Sequence, residues 1–330
     1  MQHRTFGRLG WRVSAIGFGG WAIGGGMWGE QDDDESVRAL HTALDRGVNF
    51  VDTAQVYGEG HSEEVIGKVL AERTEEVYVA TKVPQREGFE WPPRADADAR
   101  DLFPADHLIS ACEESLRRLG RETIDVYQFH AWAPAFNVQD EWKEAMATLK
   151  RDGKIRAVGV SVPDHAPGVV VGSLLDGTVD AVQTVYNVFD RSAEWNLFPV
   201  CQRTETAVIV RVPFDEGALT GKFDADTTFP EGDHRRDYFA DGALEETVRR
   251  VEALREFKDE RHPDLDLAEY ALRFARSHPA VSVVIPGMRT PEQAEMNTAA
   301  GVGDPLGADE RADLAAHAWQ RHLWLERQDD

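Results

Sequence analysis

The sequence predicts an eight-stranded parallel barrel wrapped by helices, a (β/α)8 fold with one extra helix at the C-terminal end, over residues 1–330 as a single domain. Three observations carry this. Short apolar runs alternate with helix-period segments along the whole chain. The runs are apolar at nearly every position, which suits strands covered on both faces. There are eight such units, and no linker or shift in composition divides them.

The elements follow in order. Residues 15–18 form the first expected strand, and Val37, Leu40 and Leu44 mark an amphipathic helix that stops at Gly47. The second strand is 49–52, and its helix is expected to begin at Ser62 as N-cap, with Glu63 and Glu64 in the first turn. Residues 77–82 are the third strand. Leu108, Ile109, Cys112, Leu116 and Leu119 then trace a helix closed by Gly120. The fourth strand is 124–130, and the helix through Trp142, Met146 and Leu149 ends at Gly153. Strands five to eight are 155–161, 179–186, 207–212 and 281–286, and 308–328 reads as the added helix. Two connections, 85–104 and 215–242, are long enough to call for a functional reason.

Composition narrows the function. With 42% hydrophobic and 29% charged residues the chain is that of a soluble globular protein, and no apolar run is long enough to span a bilayer. The N-terminal "MQHRTFGRLGW" lacks the apolar core of a signal peptide, so the cytoplasm is the expected compartment. A net charge of −23 argues against nucleic acid and anionic membranes as partners. Lysine is confined to positions 68, 82, 143, 150, 154, 222 and 258, and this acid excess reads as adaptation to high salt. Cys112 and Cys201 form neither a metal-ligand spacing nor a disulfide framework, and no metal is expected.

"GFGGWA" (17–22) matches the dinucleotide fingerprint G-x-G-x-x-G/A in letters only. That fingerprint needs a turn opening directly into a helix, and the following "IGGGMWGE" is too glycine-rich to start one. A loop at the barrel mouth fits better.

The informative polar residues fall where strands end, and in a barrel all those ends meet on one face. Asp52 closes strand two, and Tyr57 follows in "FVDTAQVYGEGHSEEVIG". Lys82 ends strand three, His130 strand four and Ser161 strand five, while Gln183 lies late in strand six. A tyrosine alone is a weak acid with a pKa near ~10, and an adjacent ammonium stabilises its phenolate. An aspartate paired to that lysine keeps it charged and in place, and a histidine adds a hydrogen bond to a substrate oxygen. Together they make a proton donor aimed at a carbonyl, as reduction by a nicotinamide hydride requires. Taken singly, each residue has a plain structural reading: a loop tie, a rim aromatic, a strand-end charge, a core histidine.

With these residues in view, the chain resembles the aldo-keto reductase superfamily, in the style of its longer-chain bacterial and archaeal members and of potassium-channel β subunits. "GFGGW", "VATKV", "DVYQFH", "IRAVGVS", "VQTVYN", "GALTGK" and "VIPGMRTPEQAEMN" occur in the family's order over nearly the whole length. The resemblance implies an enzyme in which Tyr57 is general acid and base, assisted by Asp52, Lys82 and His130. It implies NADP(H) as cofactor, with NAD(H) as the alternative. Gly20 and Trp21 would lie near the nicotinamide, and Ser161 and Gln183 would hold its carboxamide. Phe214, Leu219, Gly221 and Lys222 would enclose the pyrophosphate. Gly287, Met288, Arg289, Gln293 and Asn297 would meet the adenosine, Arg289 reading a 2′-phosphate.

Three positions depart from the family's habit. Val162 stands where asparagine is common, Arg211 where an aromatic often stacks on nicotinamide, and Met296 where a glutamate is common near adenine. Because Arg211 alternates with Val210 and Val212, it is expected to face the cofactor. Trp28, Trp91 and Trp132 lie in or beside mouth loops and are candidates to line a site for a small carbonyl compound or sugar. Two other functions compete: a barrel aldolase using Lys82 as a Schiff-base amine, and a non-catalytic cofactor-sensing subunit.

Overall fold

The computed structural model describes residues 1–29 and 31–319. Ten strands run β1 His3–Phe6, β2 Trp11–Ser14, β3 Phe18–Gly19, β4 Phe50–Asp52, β5 Tyr78–Val83, β6 Ile124–Phe129, β7 Ile155–Ser161, β8 Ala181–Val185, β9 Ala207–Arg211 and β10 Val283–Val284. The last eight form one all-parallel sheet in the order β3 to β10. Bridges from Ile16 to Val284 and from Gly19 to Gly287 join its two edges and close the ring. The predicted strands are all present: 155–161 has the predicted bounds, those expected at 15–18 and 77–82 end one residue later, and the others are shortened at one or both ends.

The outer layer includes α1 Asp33–Asp45, α2 His61–Ala71, α3 Ala99–Leu102, α4 Ala105–Leu119, α5 Glu141–Arg151, α6 Val171–Leu175, α7 Ala193–Asn196, α8 Phe198–Thr204, α9 Arg235–Tyr238, α10 Ala243–Arg261, α11 Leu267–Ser277 and α12 Pro291–Ala299. The added C-terminal helix is present but shorter than expected. α13 covers Ala308–Asp313 and passes into a 3-10 turn over Leu314–His317, and the rest of the predicted span from 320 lies outside the described residues. None of the described helices is long and apolar enough to cross a membrane, and the described residues hold no group of His, Cys, Asp or Glu suited to a metal.

The side chains sort into two cores. One joins the outward faces of the strands to the helices and takes up both cysteines. The other fills the barrel: Phe50, Tyr78, Ala80, Val126, Ala157, Ala181, Ala207, Ile209, Val283 and Ile285, with Phe6 and Val13. Those last two belong to the β1–β2 hairpin, which plugs the bottom of the barrel and which the sequence reading missed. The "FGRLGW" stretch, with Gly7 and Gly10 both at positive φ, was its available signal. Cys112 and Cys201 are buried, and burial pushes both thiols up to about 12.

Side chains alternate along a strand, so the inward residues of the barrel core set the parity for the mouth above them. Two residues beyond Phe50 comes Asp52; beyond Ala80, Lys82; beyond Val126, Gln128 and then His130. By the same count Ser161, Gln183 and Arg211 point inward, at the open end of the ring.

Candidate active site

Lys82 is the centre of the mouth. Its side chain is fully buried, and Nζ donates to Asp52 Oδ1 at 2.6 Å, to the Thr53 carbonyl at 2.8 Å and to the Tyr57 hydroxyl at 3.1 Å. Burial works against its charge, but Asp52 and Tyr57 outweigh it and hold the pKa above the ordinary lysine value. The other oxygen of Asp52 accepts from Gln128 Nε2 at 3.0 Å and from Gln183 Nε2 at 2.7 Å. The carboxylate is thus ringed by donors from β5, β6 and β8.

Gln128 was not anticipated. Its register position beside Lys82, with His130 two residues on, was the signal that could have found it. Room for it comes from β7, where a Cβ on Gly159 would lie 2.6 Å from Gln128 Cγ. A second close approach holds the tyrosine loop. A Cβ on Gly24 would meet the Tyr57 carbonyl carbon at 2.7 Å, so the loop after β3 lies directly against the loop after β4.

Tyr57 corrects one expectation. Lys82 does pull its pKa down, but burial pushes it up more, the nearby Asp52 adds to that, and the net shift is upward. The phenol is therefore held as the neutral acid, the form that can give a proton. His130 lies edge-on to the Tyr57 ring, with centroids 5.7 Å apart, and Trp91 packs edge-on to His130 at 5.8 Å. Burial, with the charges of Lys82 and Arg211, drives the His130 pKa well below its usual value, so the ring is neutral.

α2 begins differently from the expected N-cap at Ser62. Gly60, at φ 96°, caps the helix, and Ser62 lies inside it, fully buried. Its hydroxyl accepts from Thr53 Oγ1 and donates to the Gly20 carbonyl, each at 2.8 Å. Ser62 ties the first turn of α2 to the two loops that follow β3 and β4. Glu63 is also buried, taking a hydrogen bond from Thr81 at 2.6 Å.

The other anticipated residues distribute around this centre. Ser161 pairs in register with Gln183 across β7 and β8. Trp21 stacks on Tyr57 at 6.0 Å, and Trp28 lies edge-on to Trp21 at 5.3 Å. Trp91 is exposed beside Phe89. Trp132 is not at the mouth. It is buried in an aromatic cluster with Phe129, Phe136 and Trp142 in the helix layer. Arg211 has the predicted inward parity but is held by an acid, donating to Asp164 at 2.5 Å and to the Val162 carbonyl at 3.0 Å. This is the geometry of a guanidinium tied to the barrel wall.

Immediately after Arg211 the backbone turns sharply. Val212 has φ 52°, and Asp215 and Glu216 follow at 50° and 55°. A β-branched residue in the left-handed region is strained, and Asn187 Nδ2 restrains this one by donating to the Val212 carbonyl at 3.0 Å. Leu219 is buried in the turn beyond, and Lys222 is exposed. On the last βα unit Gly287 is exposed and Met288 is fully buried. Arg289 donates to Gln31 and, at 3.2 Å, to the Trp28 carbonyl. Gln293 Oε1 accepts from the Arg289 amide at 2.7 Å, and Asn297 reaches the Gly287 carbonyl at 3.1 Å.

A family model for the aldo/keto reductase family matches residues 15–318. The chain belongs to the aldo/keto reductase family. It is therefore an oxidoreductase of a family that works with nicotinamide cofactors on carbonyl compounds. Among curated relatives, the aldo-keto reductase YhdN of Bacillus subtilis is 31% identical over 303 residues, covering 89% of this chain and 87% of its own. An NADH-specific methylglyoxal reductase of Escherichia coli is 33% identical over 223 residues, or 65% of this chain and 68% of its own. Among solved structures, the glycerol dehydrogenase of Gluconobacter oxydans superposes with a TM-score of 0.80 at 31% identity, covering 96% of this chain and 94% of that one.

The site suits a bound dinucleotide. Trp28 Nε1 and Arg211 Nε are buried donors with no acceptor among the described residues. Lys222 stands exposed after β9, and Arg289 supplies a second cation after the neighbouring β10.

Proposed function

We propose that this enzyme reduces a small aldehyde or ketone, sugars included, to the alcohol, or runs the reverse oxidation, with Tyr57 as general acid and base. The observation that carries the reading is the Asp52–Lys82–Tyr57 chain, with a neutral phenol at its outer end and His130 beside it. The bound nicotinamide supplies or accepts the hydride. Tyr57 gives its proton to the carbonyl oxygen as negative charge develops there, and the Lys82 ammonium stabilises the phenolate left behind. Asp52, fixed by Gln128 and Gln183, keeps that ammonium charged and aimed. Neutral His130 donates a hydrogen bond to the same oxygen.

The cofactor we assign is NADP(H), with NAD(H) as the alternative that the Escherichia coli relative's name favours. Gly20, Trp21, Ser161, Gln183 and Arg211 border its nicotinamide end in this reading. Phe214, Leu219, Gly221 and Lys222 flank the pyrophosphate. Gly287, Met288, Arg289, Gln293 and Asn297 face the adenosine, with Arg289 toward a 2′-phosphate. Trp28 and Trp91 line the approach for substrate. A Schiff-base role for Lys82 is disfavoured, because a buried amine held protonated by Asp52 has no free lone pair for attack.

Tyr57→Phe is the direct test. Carbonyl reduction should fall well below a tenth of wild type, a barrier increase above ~1.4 kcal/mol, while dinucleotide affinity stays nearly unchanged. Turnover that survives the substitution, measured across a panel of aldehydes, ketones and sugars, would remove Tyr57 from the mechanism.

A further inference from the structure

His234, in the long connection after β9, has no role in the proton transfer, yet it is buried against the mouth with its side chain only 2% exposed. Its Nε2 lies 3.0 Å from Glu216 Oε2, and its Nδ1 lies 3.0 Å from the Met27 carbonyl oxygen. Both neighbours are acceptors. A neutral imidazole has one N–H and would set a lone pair against a lone pair at the other contact, whereas the imidazolium donates to both. The ring also packs between two indoles, Trp21 at 5.0 Å and Trp28 at 4.7 Å. Glu216 belongs to the strained turn after β9, while Met27, Trp21 and Trp28 belong to the loop after β3. One side chain thus spans the two loops that border the proposed dinucleotide site. Through Trp21, which stacks on Tyr57, it is also linked to the catalytic centre.

The charges around His234 favour the cation. Glu216 approaches from the turn after β9. Asp233, on its own segment, sets Oδ1 3.9 Å from Nδ1 and is paired through Oδ2 with Arg235 at 2.6 Å. The Arg235 guanidinium lies over the Trp28 ring at 4.8 Å. From the loop after β3, the Met27 carbonyl and the faces of Trp21 and Trp28 meet the imidazole, and Arg289 meets that loop at the Trp28 carbonyl. Burial works against a charge here, but Glu216, then the Met27 carbonyl and Asp233, outweigh it and raise the pKa.

We propose that protonated His234 is a clamp that joins the turn after β9 to the loop after β3 and so positions Trp21 and retains the bound dinucleotide. This rests on the reading that a dinucleotide occupies the cleft. Because the clamped state binds the proton more tightly than the open one, the closing energy is fully present below the ordinary histidine range. It is lost as pH rises through the raised pKa. Dinucleotide release should therefore quicken with pH, by roughly tenfold for each unit by which clamping raises that pKa.

The test follows release of NADPH, and separately NADH, by stopped-flow fluorescence between about pH 6 and 9, the range in which a perturbed histidine titrates. In parallel, hydrogen exchange of 215–242 and 20–29 is measured in the free protein, corrected for intrinsic pH dependence. Wild type should show a release step that coincides with a step in exchange. His234→Gln should release quickly at every pH, and Glu216→Gln should move the step to lower pH. Should His234→Gln fold poorly, the shift in Glu216→Gln carries the test. Tight binding with pH-independent release and flat exchange would overturn the clamp and leave the cofactor assignment standing. An exchange step in a protein that binds neither dinucleotide would overturn the cofactor assignment, and the retention role with it.

Discussion

The floor of the mouth and its rim are built on opposite plans. On the floor, Asp52, Lys82, Gln128 and Gln183 are nearly or fully buried, sit on strands, and satisfy one another through short hydrogen bonds. On the rim, Met27, Val56, Phe89 and Trp91 are exposed on loops, and Val212, Asp215 and Glu216 hold left-handed backbone. The floor keeps its geometry because the barrel fixes it, and removing one charge strands another. The rim keeps its geometry through a few contacts between loops, so it can vary in substrate or timing without disturbing the proton donor. In the proposed reading, the proton-transfer chemistry belongs to the first region and substrate specificity to the second.

Cutting one ion pair in each region gives the largest contrast. Lys82→Met leaves the Asp52 charge buried without its counter-ion and should cost about 3–5 kcal/mol of stability as well as activity. Urea unfolding measures it, and adding Asp52→Asn should restore much of the loss. Arg94→Met, which breaks the exposed Arg94–Asp96 pair on the rim, should cost under ~1 kcal/mol. Comparable losses in the two would erase the distinction.

A smaller effect is expected at the adenosine side. Arg289→Ala should weaken NADPH more than NADH, by about tenfold if one charge-assisted contact worth about 1.4 kcal/mol is lost. Equal weakening of both dinucleotides, measured by fluorescence titration, would assign Arg289 to loop structure through Gln31 and Trp28 instead. The smallest effect concerns the whole surface. With a net charge of −23, molar KCl should raise the melting temperature by a few degrees as repulsion is screened over a Debye length of ~3 Å. A flat or falling melting curve would make the acidity ordinary composition.

Strand patterns explain what was legible beforehand. Asp52, Lys82, His130, Ser161 and Gln183 stood out as polar residues at or near the ends of apolar runs, and Arg211 by its alternation with Val210 and Val212, because both patterns are local and survive in the sequence. Gln128 obeys the same rule and was overlooked inside an otherwise apolar run. The His234–Glu216–Met27 bridge follows no rule of that kind, since it joins loops whose approach depends on the closed barrel. Trp132 shows the converse. An aromatic beside a loop packs inward or outward according to neighbours such as Phe136 and Trp142, which periodicity does not reveal. The Ser62 cap failed because a glycine two residues earlier supplied the left-handed start, freeing the hydroxyl for Thr53 and Gly20.

The buried thiols bear on self-damage. Aldehydes and ketones are electrophiles, and an enzyme that concentrates them exposes its own nucleophiles to attack. With both cysteines at about 12, only about one thiol in a hundred thousand is a thiolate at pH 7. The amine on the floor of the mouth, Lys82, is held as an ammonium. In the proposed reading, a carbonyl compound beside Tyr57 therefore meets a proton donor and an ammonium, and neither buried cysteine is open to it.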